Sequence, residues 1–161
     1  MKEFSIQVPV TELSYDELTP AESLLVETAR EATSRAYAPY SHFKVGAAIR
    51  LDNGEIIPGS NQENAAFPSG TCAERSACYY AHARYPEARF EASAVAAVGT
   101  DGCELDEPAS PCGACRQALM EYEHLAGHPV PVYNHHCSHA FSLSYHKNNS
   151  CPVNFQIASI K

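Results

Sequence analysis

Apolar and polar positions divide this chain into alternating strand-like and helix-like stretches. Residues 4–10, Phe-Ser-Ile-Gln-Val-Pro-Val, alternate with the period of a strand, and Pro9 suits an edge better than a sheet centre. Thr19-Pro20-Ala21-Glu22 then combines a Thr N-cap, a proline at the first helical position and a glutamate that completes a capping box. Leu24, Leu25, Thr28, Ala32 and Arg35-Ala36 follow at helical spacing, and Pro39 marks the stop. Two strand-like runs, 43–51 and 55–57, flank Asp52-Asn53-Gly54 and predict a β-hairpin. Gly46, Ala47 and Ala48 would let a helix, or a ligand, come close to that hairpin. Residues 72–84 read as a helix, 92–99 as a buried strand of small apolar residues, 100–110 as a polar loop, and Cys112 to about Tyr122 as a further helix. Strand and helix alternate here, which predicts an α/β layered domain.

Beyond His124 the pattern weakens. Residues 129–133 predict a short strand and 152–160 a last one, but 134–150 show neither period. There are no internal repeats and no linker, so residues 1–161 read as a single domain with a motif-bearing core at about 20–133 and an atypical tail at 134–161.

Charge narrows the functions available. Lys and Arg total 11 against 19 Asp and Glu, a formal net charge of -8, so the chain lacks the basic footprint of a polynucleotide binder. No run resembles a signal peptide or reaches transmembrane length, and the expectation is no membrane partner. Seven cysteines without a secretion signal read as reduced thiols in a cytoplasmic protein.

The cysteines carry the chemistry. Thr71-Cys72-Ala73-Glu74-Arg75 places a carboxylate beside a thiol, and Pro111-Cys112-Gly113-Ala114-Cys115-Arg116 adds a Cys-x-x-Cys pair. Cys72, Cys112 and Cys115 fill three corners of a tetrahedral Zn²⁺ site and leave the fourth open, a catalytic rather than a structural layout. Buried free thiols are the competing reading, and the helix-start placement beside Glu74 argues against it. A first-turn glutamate also favours a helix dipole, but its place beside the open position assigns Glu74 to proton transfer. Arg75 and Arg116 adjoin the ligands and would offset the thiolate charge. Cys78 reads as packing and Cys103 as a loop thiol. The His and Cys tract at 135–139 reads as a solvated loop rather than a second metal site.

Cys-x-Glu with Pro-Cys-x-x-Cys is a zinc-deaminase spacing. Residues 36–123 resemble the cytidine deaminases of the small-subunit, all-cysteine kind. The resemblance runs through Ala36-Tyr37-Ala38-Pro39-Tyr40-Ser41, Phe43 with Val45-Gly46-Ala47-Ala48, Asn61-Gln62-Glu63-Asn64-Ala65-Ala66 and both cysteine motifs, in order. It implies a three-layer αβα fold with a mixed sheet, and deamination of cytidine and deoxycytidine in pyrimidine salvage. It also implies a homotetramer with sites built across subunits. By the same resemblance Asn61 and Glu63 hold the ribose hydroxyls, Phe43 stacks near the pyrimidine, and the Ala73 backbone holds the base. From the residues alone, Asn61 reads as strand-end turn chemistry and Phe43 as core packing.

Other readings share the metal motif. A deaminase of aminonucleoside antibiotics would use it, but Asn61-x-Glu63 argues for a free ribose. A structural zinc module is opposed by the open fourth position and Glu74, and a catalytically weak homologue would follow from the altered tail. Two departures from the family stand out. Position 67 is Phe where Tyr is common, and residues 134–161 lack the family's strand, glycine turn, strand and Leu-Leu-Pro segment followed by Phe. The tail reads like the product of a shifted frame, which predicts loss of the last strands and of an aromatic residue given to a neighbouring site.

Overall fold

The computed structural model describes residues 10–105, 107–135 and 140–143. One mixed sheet of six strands forms its middle layer, in the order β1-β6-β5-β4-β2-β3. The strands are β1 (Val10–Leu13), β2 (Lys44–Leu51), β3 (Ile56–Ser60), β4 (Phe90–Val98), β5 (Val132–His135) and β6 (Ala140–Leu143). Strands β4 and β5 run parallel, and the other pairs are antiparallel. The helices are α1 (Pro20–Ala32), α2 (Ala73–Arg84) and α3 (Gly113–Ala126). None of the described helices is long and apolar enough to cross a membrane.

Strand alternation builds two cores. On one face Ala48, Ala92, Ala94, Ala96 and Tyr133 pack with Leu25, Val26 and Ala29 of α1. On the other, Ile49, Leu51, Ile57, Phe90, Val95 and Val132 pack with Ala73, Ala77, Cys78 and Ala81 of α2 and Leu119 of α3. The result is a three-layer αβα sandwich. Small residues let α1 press close, and a Cβ on Gly46 would stand 2.1 Å from the Ala29 carbonyl oxygen. At the other face a Cβ on Gly59 would stand 2.5 Å from the Ala77 nitrogen. A β-bulge between Arg50 and Leu51 skips Glu91, so that Phe90 reaches the second core and stacks 4.4 Å from the Tyr122 ring.

The capping box at Thr19 forms as its sequence predicts, and Glu22 accepts from the Thr19 backbone at 2.8 Å. Helix α1 stops at Ala32, and residues 33–35 make a 3-10 turn that replaces the predicted last helical turn. Gly54 has φ 87, as the tight turn between β2 and β3 requires, and Pro58 sits in the edge strand β3. The strand predicted at 4–10 falls on residues outside the description except Val10, where β1 starts.

The end of the chain is more regular than its pattern. Strand β5 extends through Asn134 and His135, and β6 pairs with both β5 and β1. His135 is buried; its Nδ1 hydrogen-bonds the Tyr15 hydroxyl, and its Nε2 lies 3.2 Å from Glu104, which also pairs with Arg30. These contacts tie β5 to α1 and to the loop after β4. The predicted strand at 152–160 and the rest of the 135–139 tract lie outside the described residues.

Candidate active site

Two helix starts meet at the site. Cys72 is the N-cap of α2 and Cys112 the N-cap of α3, and neither side chain caps its own helix. Such positions usually carry Ser, Thr, Asp or Asn. The free first-turn N–H groups and the positive ends of both helix dipoles instead favour thiolates there. Helix α3 follows the carboxyl end of β4, where α/β sheets commonly hold ligands.

The three sulfurs of Cys72, Cys112 and Cys115 lie within 4.8 Å of one another. Cys112 Sγ is 3.8 Å from Cys72 Sγ and 3.4 Å from Cys115 Sγ. A tetrahedral ion with sulfurs at about 2.3 Å separates them by about 3.8 Å, close to the spacings found, so the donor set fits zinc. The Cys72 thiol is lowered to about 5, chiefly by a hydrogen bond from Cys115, with Arg75 Nη2 donating at 3.6 Å. The same contact and burial push Cys115 upward. A divalent cation among the sulfurs would favour the thiolate at all three.

Glu74 lies in the first turn of α2 and is 6% exposed. Burial pushes its carboxyl above the ordinary range, and the charge at Cys72 adds to that. The Ala73 backbone sits beside it on the same turn, with its side chain fully buried. Arg75 is held charged by its bond to Cys72. Arg116 follows Cys115 on α3, where its backbone N–H donates to the Cys112 carbonyl at 2.9 Å. Cys78 points into the core, and burial raises its thiol, as a packing role requires. Cys103 is exposed in the loop after β4.

Phe43, Asn61 and Glu63 reach the same neighbourhood through backbone pairing. Gln62 and Thr71 exchange N–H···O bonds of 2.9 Å, which sets residues 61–63 beside the residue preceding Cys72. Asn61 Oδ1 accepts from Val45 N at 2.8 Å, and its Nδ2 donates to the Phe43 carbonyl at 2.9 Å. Glu63 accepts from the backbone of Tyr40 at 2.9 Å and of Ser41 at 3.3 Å. These contacts with the 40–45 backbone went unread in the sequence, where the only signal is a pair of polar residues at alternate positions past a strand end. Phe67 stands 91% exposed on the turn before Thr71. A surface cleft runs along α3 from Gln117 to Pro129 and includes none of the three sulfurs, so chemistry rather than concavity locates the site.

A family model described as "Cytidine and deoxycytidylate deaminase zinc-binding region" matches residues 20–126. The chain is 42% identical over 98 residues to a cytidine deaminase of Halalkalibacterium halodurans, covering 61% of this chain and 69% of that one. With a cytidine deaminase of Sporosarcina psychrophila it shares 41% over 109 residues, or 68% and 73% of the two chains. The crystal structure of cytidine deaminase from Burkholderia pseudomallei superposes with a TM-score of 0.62 at 35% identity, covering 74% of this chain and 90% of that one. That from Mycobacterium tuberculosis gives 0.54 at 34%, covering 68% and 80%.

Proposed function

Because the chain belongs to the cytidine and deoxycytidylate deaminase family, we propose that it hydrolyses cytidine and deoxycytidine to uridine and deoxyuridine, releasing ammonia. The observation that carries this is a buried carboxylate, Glu74, on the helix turn that also starts a three-thiol cluster. Cys72, Cys112 and Cys115 would hold zinc, which would supply the Lewis acidity that brings a water near neutral pKa. Glu74 takes the proton from the water that attacks C4 and passes it to N3 of the pyrimidine. It then takes the proton of the new C4 hydroxyl and delivers it to the departing amine, so that the C4–N bond breaks, ammonia leaves and a carbonyl forms at C4. One buried carboxylate thus serves alternately as base and acid.

The chain's other residues orient the substrate. Phe43 lies against the pyrimidine, the Ala73 backbone holds the base, and Asn61 and Glu63 take the ribose hydroxyls. Arg75 and Arg116 balance the charge of three thiolates. The enzyme acts as a single domain, as a cytoplasmic homotetramer in pyrimidine salvage, with no nucleic-acid or membrane partner. Exposed Tyr37, Tyr40 and Phe67, and Tyr79 and Tyr80 on α2, support assembly, since aromatic residues are enriched at interfaces. Gel filtration that returns a monomer would remove the assembly from this reading.

The deciding experiment follows cytidine absorbance with zinc-loaded protein and with Glu74→Gln. The expected outcome is turnover that falls about a thousandfold or more in the variant, while both proteins retain one zinc per chain. Absence of turnover in the zinc-loaded parent protein would overturn the reading.

A further inference from the structure

Strand β3 ends at Ser60, yet the chain goes on organising the start of β2 by other means. Gln62 gives its backbone N–H and carbonyl to Thr71. Its neighbours face the opposite way, toward the segment 37–45. Asn61 O accepts from Tyr37 N at 3.0 Å, Glu63 N donates to Tyr37 O at 2.8 Å, and Asn61 N donates to Val45 O at 3.0 Å. Between these anchors one backbone bond, His42 N to Ala38 O at 3.0 Å, is joined by side chains. The Asn61 amide holds Phe43 and Val45 by their backbones, and one Glu63 oxygen, Oε2, holds both Tyr40 and Ser41. The turn so held includes His42 at φ 57, a left-handed conformation that a non-glycine residue keeps only when its surroundings enforce it.

Residues 61–63 therefore form a spine with the Phe43 turn on one side and the residue before Cys72 on the other. We propose that Glu63 is a positioning residue for the Tyr40–Phe43 turn, so that one carboxylate both sets the Phe43 ring and meets the substrate's sugar. The sugar half rests on the nucleoside reading above; the clamp itself does not. Oε2 serves the two backbone N–H groups, and Oε1 is the atom assigned to a hydroxyl. A substrate that engages Glu63 then reports its sugar to the residue that packs on its base.

The clamp is tested by amide hydrogen exchange, resolved residue by residue, on zinc-loaded protein without substrate. In Glu63→Ala the Tyr40 and Ser41 amides should exchange about tenfold faster or more, the effect of losing a hydrogen bond to a charged acceptor, while α2 amides are unchanged. In Glu63→Gln, whose neutral oxygen accepts more weakly, the increase should be smaller and confined to the same two amides. Should Glu63→Ala loosen α2 as well, the Gln variant decides: faster exchange confined to those two amides supports the clamp. Unchanged exchange at Tyr40 and Ser41 overturns it. The coupling is read with 2′,3′-dideoxycytidine, which lacks both hydroxyls, as a competitor of cytidine turnover. Glu63→Ala should weaken its inhibition, whereas a residue that only contacts sugar hydroxyls would leave it as in the parent. If the parent protein turns over no cytidine, the nucleoside reading fails, and the exchange experiment still judges the clamp.

Discussion

The two faces of the sheet are made from the same strands and solve different problems. Toward α1 they present Gly46, Ala48, Ala92, Ala94 and Ala96, a smooth surface on which a single helix lies close. Toward α2 and α3 they present Ile49, Leu51, Phe90, Val95 and Val132, larger side chains beneath two helices whose starts converge. Among the described residues, only the second face buries a carboxylate and gathers three sulfurs at one end. A face packed to the backbone is a foundation. A face packed through longer side chains leaves room at its end for polar chemistry, and close approach is kept there for one point, Gly59 beneath the first turns of α2.

The sharpest contrast lies between two buried cysteines of the second face. Cys115→Ala should abolish stoichiometric zinc and lower turnover about a thousandfold or more, by metal analysis and cytidine absorbance. Cys78→Ala should keep both and cost about 1 kcal/mol in denaturant unfolding. Equal loss of zinc in the two variants would break the division between ligand and filler.

Next in size are the two glycines. Gly46→Val should destabilise by about 3 kcal/mol or more, because its Cβ would meet backbone of α1 and nothing there can swing aside. Folded molecules that remain should turn over cytidine at the parent rate. Gly59→Ala should cost about 2 kcal/mol and also lower kcat, because it displaces Ala73 and Ala77 on the helix that carries Glu74. A Gly59→Ala enzyme with unchanged kcat would show that both faces are mere foundation.

Much of this was legible in the chain. Thr19-Pro20-Ala21-Glu22 announced α1 because a cap is a local device, and Asn53-Gly54 announced the hairpin for the same reason. The cysteine motifs were legible because metal chemistry dictates both residue type and spacing. The tail was not. Strand β6 has its partners in β1, near the other end of the chain, and in β5, where Asn134 and His135 are polar yet buried. Register of that kind is enforced by distant contacts, Tyr15 and Glu104 on His135 among them, and leaves no alternation to read. Glu63 and Asn61 were hidden differently: a side chain that does a backbone's work looks like any polar residue at a strand end.

Two smaller effects refine the α1 side. Thr19→Ala should cost about 1 kcal/mol through loss of the cap, with turnover unchanged. Glu104 is partly buried, which works to raise its carboxyl, but the bonds from Arg30 and His135 win and hold it below the ordinary value. A lowered carboxyl stabilises the folded state above about pH 4.3 and loses that contribution as pH falls through its folded value. Glu104→Gln should therefore flatten the acid limb of the stability curve below about pH 5, by less than about 1 kcal/mol. An unchanged acid limb would detach this ion cluster from the stability of the α1 face.

Two helices of this protein begin on cysteines where most begin on a hydroxyl or a carboxylate. A serine cap belongs to its own helix and is present whenever the chain is. A thiolate at the N-cap position that binds a metal ion ties the helix start to a ligand whose occupancy depends on the surrounding solution. Zinc binding is then linked to folding, and apparent stability rises by RT ln(1 + [Zn²⁺]/Kd). At free zinc a hundredfold above Kd that is about 2.7 kcal/mol. A chelator lowers the stability of such a protein, and its melting temperature rises with free zinc.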